Sequence, residues 1–147
     1  MPILSQAPII YLVLRGKGTK LETNNQLIEL NVKSRFSLKE ANDLIQIISK
    51  VTYKHDTELK FLTEQIEKEV DPEISAQLKL QAQDAVDRWN KKIEKLGGRP
   101  TGIWYVDIDF GAGYYCWSYP ERKVHYWHKY DEGFSSRKEL IDPTRLN

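Results

Sequence analysis

Residues 102–140 read GIWYVDIDFGAGYYCWSYPERKVHYWHKYDEGFSSRKEL, and the fold turns on how this stretch is paired. It holds three of the four Trp, six of the eight Tyr, two of the three His and the one Cys, which concentrates the chemistry of the chain in about a quarter of its length. Trp104, Val106, Ile108 and Phe110 alternate with Ile103, Tyr105, Asp107 and Asp109, the period of two that gives a strand two unlike faces. Gly111-Ala112-Gly113 supplies a short turn. A second strand runs from Tyr114 to Tyr119, and Pro120-Glu121-Arg122-Lys123 turns the chain into a third, Val124 to His128. The stretch therefore reads as a small antiparallel meander.

Its register decides which side chains meet. With Phe110 opposite Tyr114 and Tyr119 opposite Val124, one face gathers Asp107, Asp109, Tyr115, Trp117, Tyr126 and His128. The other carries Trp104, Val106, Ile108, Phe110 and Cys116 and is the expected core side. A slip of one residue in either hairpin exchanges these faces.

Outward toward the N-terminus lie two helices. Ser37 with Glu40 three positions later forms a capping-box pattern. Leu38, Ala41, Ile45, Ile48, Val51, His55, Leu59, Leu62 and Ile66 then recur at three- and four-residue steps, one apolar stripe along a helix ending near Val70. Asp71-Pro72 breaks it and starts a second helix, with Ile74, Leu78, Ala82, Ala85, Trp89, Ile93 and Leu96 on one face and Gly97-Gly98 as its stop. The two make an antiparallel helical hairpin, and its long stripe also admits a homodimer that completes a four-helix arrangement in coiled-coil fashion. Before it, Pro8 to Leu14 and Leu27 to Val32 read as strands around a basic turn, Arg15 to Gly18. The GKGT at that turn lacks the spacing of a phosphate loop. After His128, the polar tail 129–147 reads as irregular.

The expected architecture is α+β in one domain: a strand-rich extension over 1–35, the helical hairpin over 36–97, the meander over 102–128 and the tail. Hydrophobic residues at 40% and charged residues at 29% suit an ordinary soluble globular chain. A net charge of +1, from 22 basic and 21 acidic residues, argues against nucleic-acid and anionic-membrane partners. One cysteine makes no internal disulfide, which fits a cytoplasmic setting. The apolar run in MPILSQAPIIYLVL is too short to span a bilayer and lacks the layout of a signal peptide.

Two groups of residues could carry function. Asp107, Asp109 and His128 could hold a divalent metal or act as an acid and base, although no CxxC or HExxH motif accompanies them. Seven aromatics between Tyr114 and Tyr130 exceed the needs of a small core; Tyr115, Trp117, Tyr126 and His128, with Arg137 as an anion contact or carboxylate partner, form the candidate ligand surface. Cys116 reads as a buried thiol, His55 as a hydrogen-bonded core histidine and His125 as a surface group.

The order Asp107, Cys116-Trp117, Glu121, Trp127-His128, Asp131, Gly133-Phe134 and Arg137 resembles the C-terminal signature of a bacterial family, domain of unknown function 2203. Phe36-Ser37-Leu38-Lys39-Glu40-Ala41-Asn42 is similar to that family's marker for the start of its helical hairpin. The likeness covers Phe36 to Leu140 and implies a helical hairpin followed by a compact β segment, with no activity attached. The chain departs from the pattern at Pro120, where the family tends to have Gly, and at Asp109-Phe110, where it tends to have Pro shortly after the first-strand Asp.

The leading functional expectation is a non-catalytic module that binds a small molecule or protein through the aromatic sheet face. A metal-dependent or acid-base enzyme centred on Asp107, Asp109 and His128 is the first alternative, and a purely structural helical-hairpin subunit the second.

Overall fold

The computed structural model describes residues 21–23, 26–28 and 35–141. The expected strand at Pro8 to Leu14 and the basic turn after it lie outside these. A short hairpin pairs β1 (Leu21–Thr23) with β2 (Gln26–Ile28). The second expected strand, Leu27 to Val32, overlaps β2, while β1 falls between the basic turn and that strand, where no strand is expected.

Helix α1 spans Leu38–Lys68 and begins as its capping box dictates: Glu40 N–H donates to Ser37 Oγ at 3.2 Å, and Ser37 N–H donates to the Glu40 carboxylate at 2.8 Å. Its stripe is buried through Ala41, Leu44, Ile45, Ile48, Thr52, His55, Leu59, Leu62 and Ile66, whereas Leu38 faces solvent. Helix α2, Pro72–Leu96, is capped by the Asp71 carboxylate, which accepts from Glu73 N–H and Ile74 N–H. It stops at Gly97, whose φ of 97° is the left-handed conformation that a residue without Cβ takes at least cost. Between the helices Trp89 is fully buried, and its indole N–H donates to Thr52 Oγ1 at 2.9 Å while that hydroxyl donates to Ile48 O. A polar group enters the core here with both of its partners present.

The meander has five strands rather than three: β3 (Arg99–Gly102), β4 (Tyr105–Asp109), β5 (Tyr114–Ser118), β6 (Tyr126–His128) and β7 (Lys138–Glu139), in sequential order and all antiparallel. The tail, expected to be irregular, contributes an edge strand and a 3-10 turn, Phe134–Ser136. Val106, Ile108 and Trp117 point at the helices and are fully buried. Three ties hold the layers together. Phe36 N–H donates to Asp109 O, Val124 N–H to Asn42 Oδ1 and Trp104 Nε1–H to Asp56 Oδ1. Trp104 also meets Trp89 edge to face with centroids 4.9 Å apart. Among the described residues no helix is long and apolar enough to cross a membrane.

Candidate functional site

The register of β5 differs by one residue from the expected one. Asp107 stands opposite Cys116 and Asp109 opposite Tyr114, while Cys116 stands opposite Tyr126 and Tyr114 opposite His128. The first turn is longer than its glycines suggest. Asp109 Oδ1 accepts from Gly111 N–H at 2.8 Å, and Phe110 leaves the ladder to close the loop through Gly113 O. At the second turn, Glu121 N–H donates to Ser118 O and Glu121 Oε2 accepts from Ser118 N–H, which tightens the chain one residue earlier. Both slips run the same way, so they cancel across the outer strands. Asp107, Asp109, Tyr126 and His128 share a face as expected, and only β5 between them is turned over.

That exchange splits the expected ligand surface. Trp117 goes to the core, fully buried, with its indole N–H donating to Glu121 O at 2.7 Å. Tyr115 goes to the same side, half-buried. Tyr126, His128 and Arg137 remain on the opposite face, so the five residues form no single surface. Arg137 is held internally: it donates to Glu121 Oε1 at 2.9 Å and lies over the rings of Tyr126 and Phe134, 4.0 and 4.2 Å from their centroids. Of the two roles expected of Arg137, the structure shows the carboxylate partner, and that partner is Glu121.

Cys116, expected on the core side, joins the Asp and His instead. Asp107 is 4% exposed, His128 1% and Cys116 1%. One ligand atom from each, the carboxylate oxygen, the imidazole nitrogen and the sulfur, lies within 4.8 Å of the others. His128 Nε2 sits 3.0 Å from Asp107 Oδ1, and its Nδ1 sits 2.8 Å from Lys129 O. A carbonyl oxygen only accepts, so Nδ1 carries hydrogen. Nε2 and Oδ1 then need a further proton between them, and the pair holds one whichever atom it is assigned to. Burial pushes the Asp107 carboxyl above the usual carboxylate range, with the His128 contact opposing it. Burial and the neighbouring Asp107 push the Cys116 thiol up to about 12, so it is a thiol and not a nucleophile at neutral pH. Asp109 lies outside this trio: its Oδ1 accepts from Gly111 N–H and from Tyr130 Oη–H at 2.7 Å.

The trio is sealed in by what lies on that face. Phe134 packs on Tyr105 with centroids 4.4 Å apart, Arg99 lies over Tyr114 at 4.9 Å, and Arg137 covers Tyr126.

On the helix side, beyond the reach of α1, a depression of about 570 Å³ opens among Phe110, Tyr115, Trp127 and Leu140, with Ala112, Lys129, Tyr130 and Asp131 also lining it. Phe110 stacks on Tyr115 at 4.4 Å and meets Trp127 edge-on at 6.1 Å. Of the expected ligand residues only Tyr115 lines it. The alternation of Phe110 with Ile108 points it to the core, and the longer first turn is what frees it.

Elsewhere, His55 is buried as expected and accepts from Lys92 Nζ at 3.1 Å. His125 is exposed.

Comparison with known proteins adds a family. No curated protein and no solved structure matches the chain. The sequence profile of an uncharacterized conserved protein family does match, over residues 34–140, and the chain belongs to that family, DUF2203.

Proposed function

We propose that the protein is a non-catalytic binding module and that its ligand is a flat, largely apolar or aromatic group taken into the depression at Phe110, Tyr115 and Trp127. The observation that carries this reading is three half-buried aromatic rings, Phe110 in contact with both Tyr115 and Trp127, lining a depression at one end of the sheet, whereas Val106, Ile108 and Trp117 on that face are fully buried. Stacked rings give such a wall affinity for a planar group, and Lys129 and Asp131 at the rim give orientation to a charged substituent. The sealed Asp107 and His128 pair favours binding over acid-base catalysis, because a group that passes protons to a substrate must reach it.

The test is titration with anilinonaphthalene sulfonate and with indole, followed by ligand fluorescence and by shifts of the Ala112 and Leu140 methyl resonances. Saturable binding at one site, lost in Ala112→Trp, which fills the depression from an exposed turn, supports the reading. No saturable binding, or binding that Ala112→Trp leaves unchanged, refutes it.

A further inference from the structure

The Asp107, Cys116 and His128 trio has more in it than the proposed ligand site uses, and it lies on the opposite face of the sheet. Three neighbouring strands present one oxygen, one sulfur and one nitrogen donor within 4.8 Å of one another, all on buried residues. That donor mixture suits a borderline-soft divalent cation of the zinc class, which takes carboxylate, thiolate and imidazole together at about 2.0–2.3 Å. Such bond lengths put neighbouring donors roughly 3.3–3.8 Å apart. The trio therefore needs only side-chain adjustments to close on one ion.

The surroundings are also those of a metal-ligating histidine. His128 donates its Nδ1–H to Lys129 O at 2.8 Å, which fixes the ring and turns Nε2 toward the trio. Orientation of the second ring nitrogen by a backbone carbonyl is how proteins set such ligands. The backbone at His128 is fixed in turn by Gly113: a Cβ there would come within 2.6 Å of His128 O, so the approach needs glycine. Charge balances as well. Arg137, the cation facing Cys116, is already paired with Glu121. A divalent ion bound by one thiolate, one carboxylate and one neutral imidazole makes a site of net charge zero, which a buried position tolerates far better than an unpaired ion.

We propose that Asp107, Cys116 and His128 form a binding site for one divalent cation of the zinc class, seated between the sheet and its covering tail. Loading obeys a definite proton balance. Before binding, the Cys116 sulfur carries one proton and the Asp107 and His128 pair shares one. Afterwards three donor-metal bonds replace them, His128 keeps its Nδ1–H, and two protons go to solvent for each ion bound. The fourth position falls to water or to the second Asp107 oxygen.

The full chain is tested in two ways. Untagged protein from zinc-supplemented cells is dialysed and its zinc measured. Protein unfolded, stripped with chelator and refolded with Co(II) is read by absorption. About one zinc per chain and a near-ultraviolet sulfur-to-cobalt charge-transfer band are expected. Because Cys116 is the one cysteine, the band assigns itself without any variant. Asp109→Asn should keep the band and Cys116→Ser should lose it. Calorimetric loading in buffers of different ionisation enthalpy should release about two protons per ion. Substoichiometric zinc, together with a cobalt spectrum lacking the band, overturns the proposal and leaves the trio a hydrogen-bonded network. Neither result bears on the depression across the sheet.

Discussion

Replacing Cys116 with Ala should change how stability responds to alkali, in a direction the burial of the thiol dictates. In the folded chain burial and Asp107 raise the thiol from 9.0 to about 12. A value raised on folding contributes stability that is complete below the unfolded pKa and is lost as pH rises through the folded one. The window is therefore about 9 to 12. Each unit within it is worth about 1.4 kcal/mol, so wild type should lose about 1.4 kcal/mol by pH 10 and about 4 kcal/mol at the top, relative to a chain without the thiol. At neutral pH the order is reversed, because deleting one buried sulfur costs roughly 1 kcal/mol of packing. The two proteins should thus exchange rank near pH 10. The assay is urea unfolding monitored by tryptophan fluorescence at pH 7, 8, 9 and 10, with chelator present so that no metal holds the thiolate. Lysine and tyrosine ionisation is common to both chains and drops out of the difference. A difference in stability that stays constant from pH 7 to pH 10 would refute the reasoning, as would a native thiol that reacts at pH 8 as fast as one in the unfolded chain.

Acid should act through His55. Burial first, then the charges of Lys92 and Arg88, hold its imidazole below the ordinary value of 6.5, with the Ala85 backbone carbonyl and then Glu58 opposing them. The lowered folded value means stability is present above 6.5 and falls as pH drops through it, by at most about 1.4 kcal/mol per unit. His55→Leu should flatten this acid limb in melts at pH 7 and pH 5, and an unchanged slope would count against it. Glu121→Ala removes the acceptor of Ser118 N–H and of Arg137 together. We expect a loss of about 1–3 kcal/mol and faster proteolytic cleavage around Gly133, measured by urea unfolding and limited digestion. Cleavage at the wild-type rate would mean that β7 pairing and the ring contacts hold the tail without the Glu121 bonds.

The helices were legible because their signals repeat. A stripe running for many turns, a capping box, Asp-Pro at the break and Gly-Gly at the stop each point to the same boundaries, and α1 and α2 match them within two residues. Sheet register has no such redundancy, since one residue in a turn inverts a strand and leaves the alternation intact. Here the deciding acts belong to side chains: Asp109 lengthening the first turn and Glu121 tightening the second. Only two slips in one sense preserved the expected neighbourhood of Asp107 and His128. Cys116 was misplaced for the same reason, and because burial alone does not distinguish a thiol in the core from one in a polar trio. β7 escaped notice because a two-residue strand carries no period to detect.

The loop joining the helices is self-contained. Glu69 Oε1 accepts from Val70 N–H and Asp71 N–H, Asp71 caps α2, and Val70 between them is 93% exposed. With these bonds made inside the loop, the sheet has no stake in the residues around Val70, and the tip is a permissive point of insertion. A peptide tag or fluorescent reporter placed there would ride roughly 37 Å from the base of α2, the length of 25 helical residues, clear of both faces of the sheet. The hairpin thus doubles as a handle by which the protein can be labelled, immobilised or pulled from solution while both faces of its sheet are left untouched.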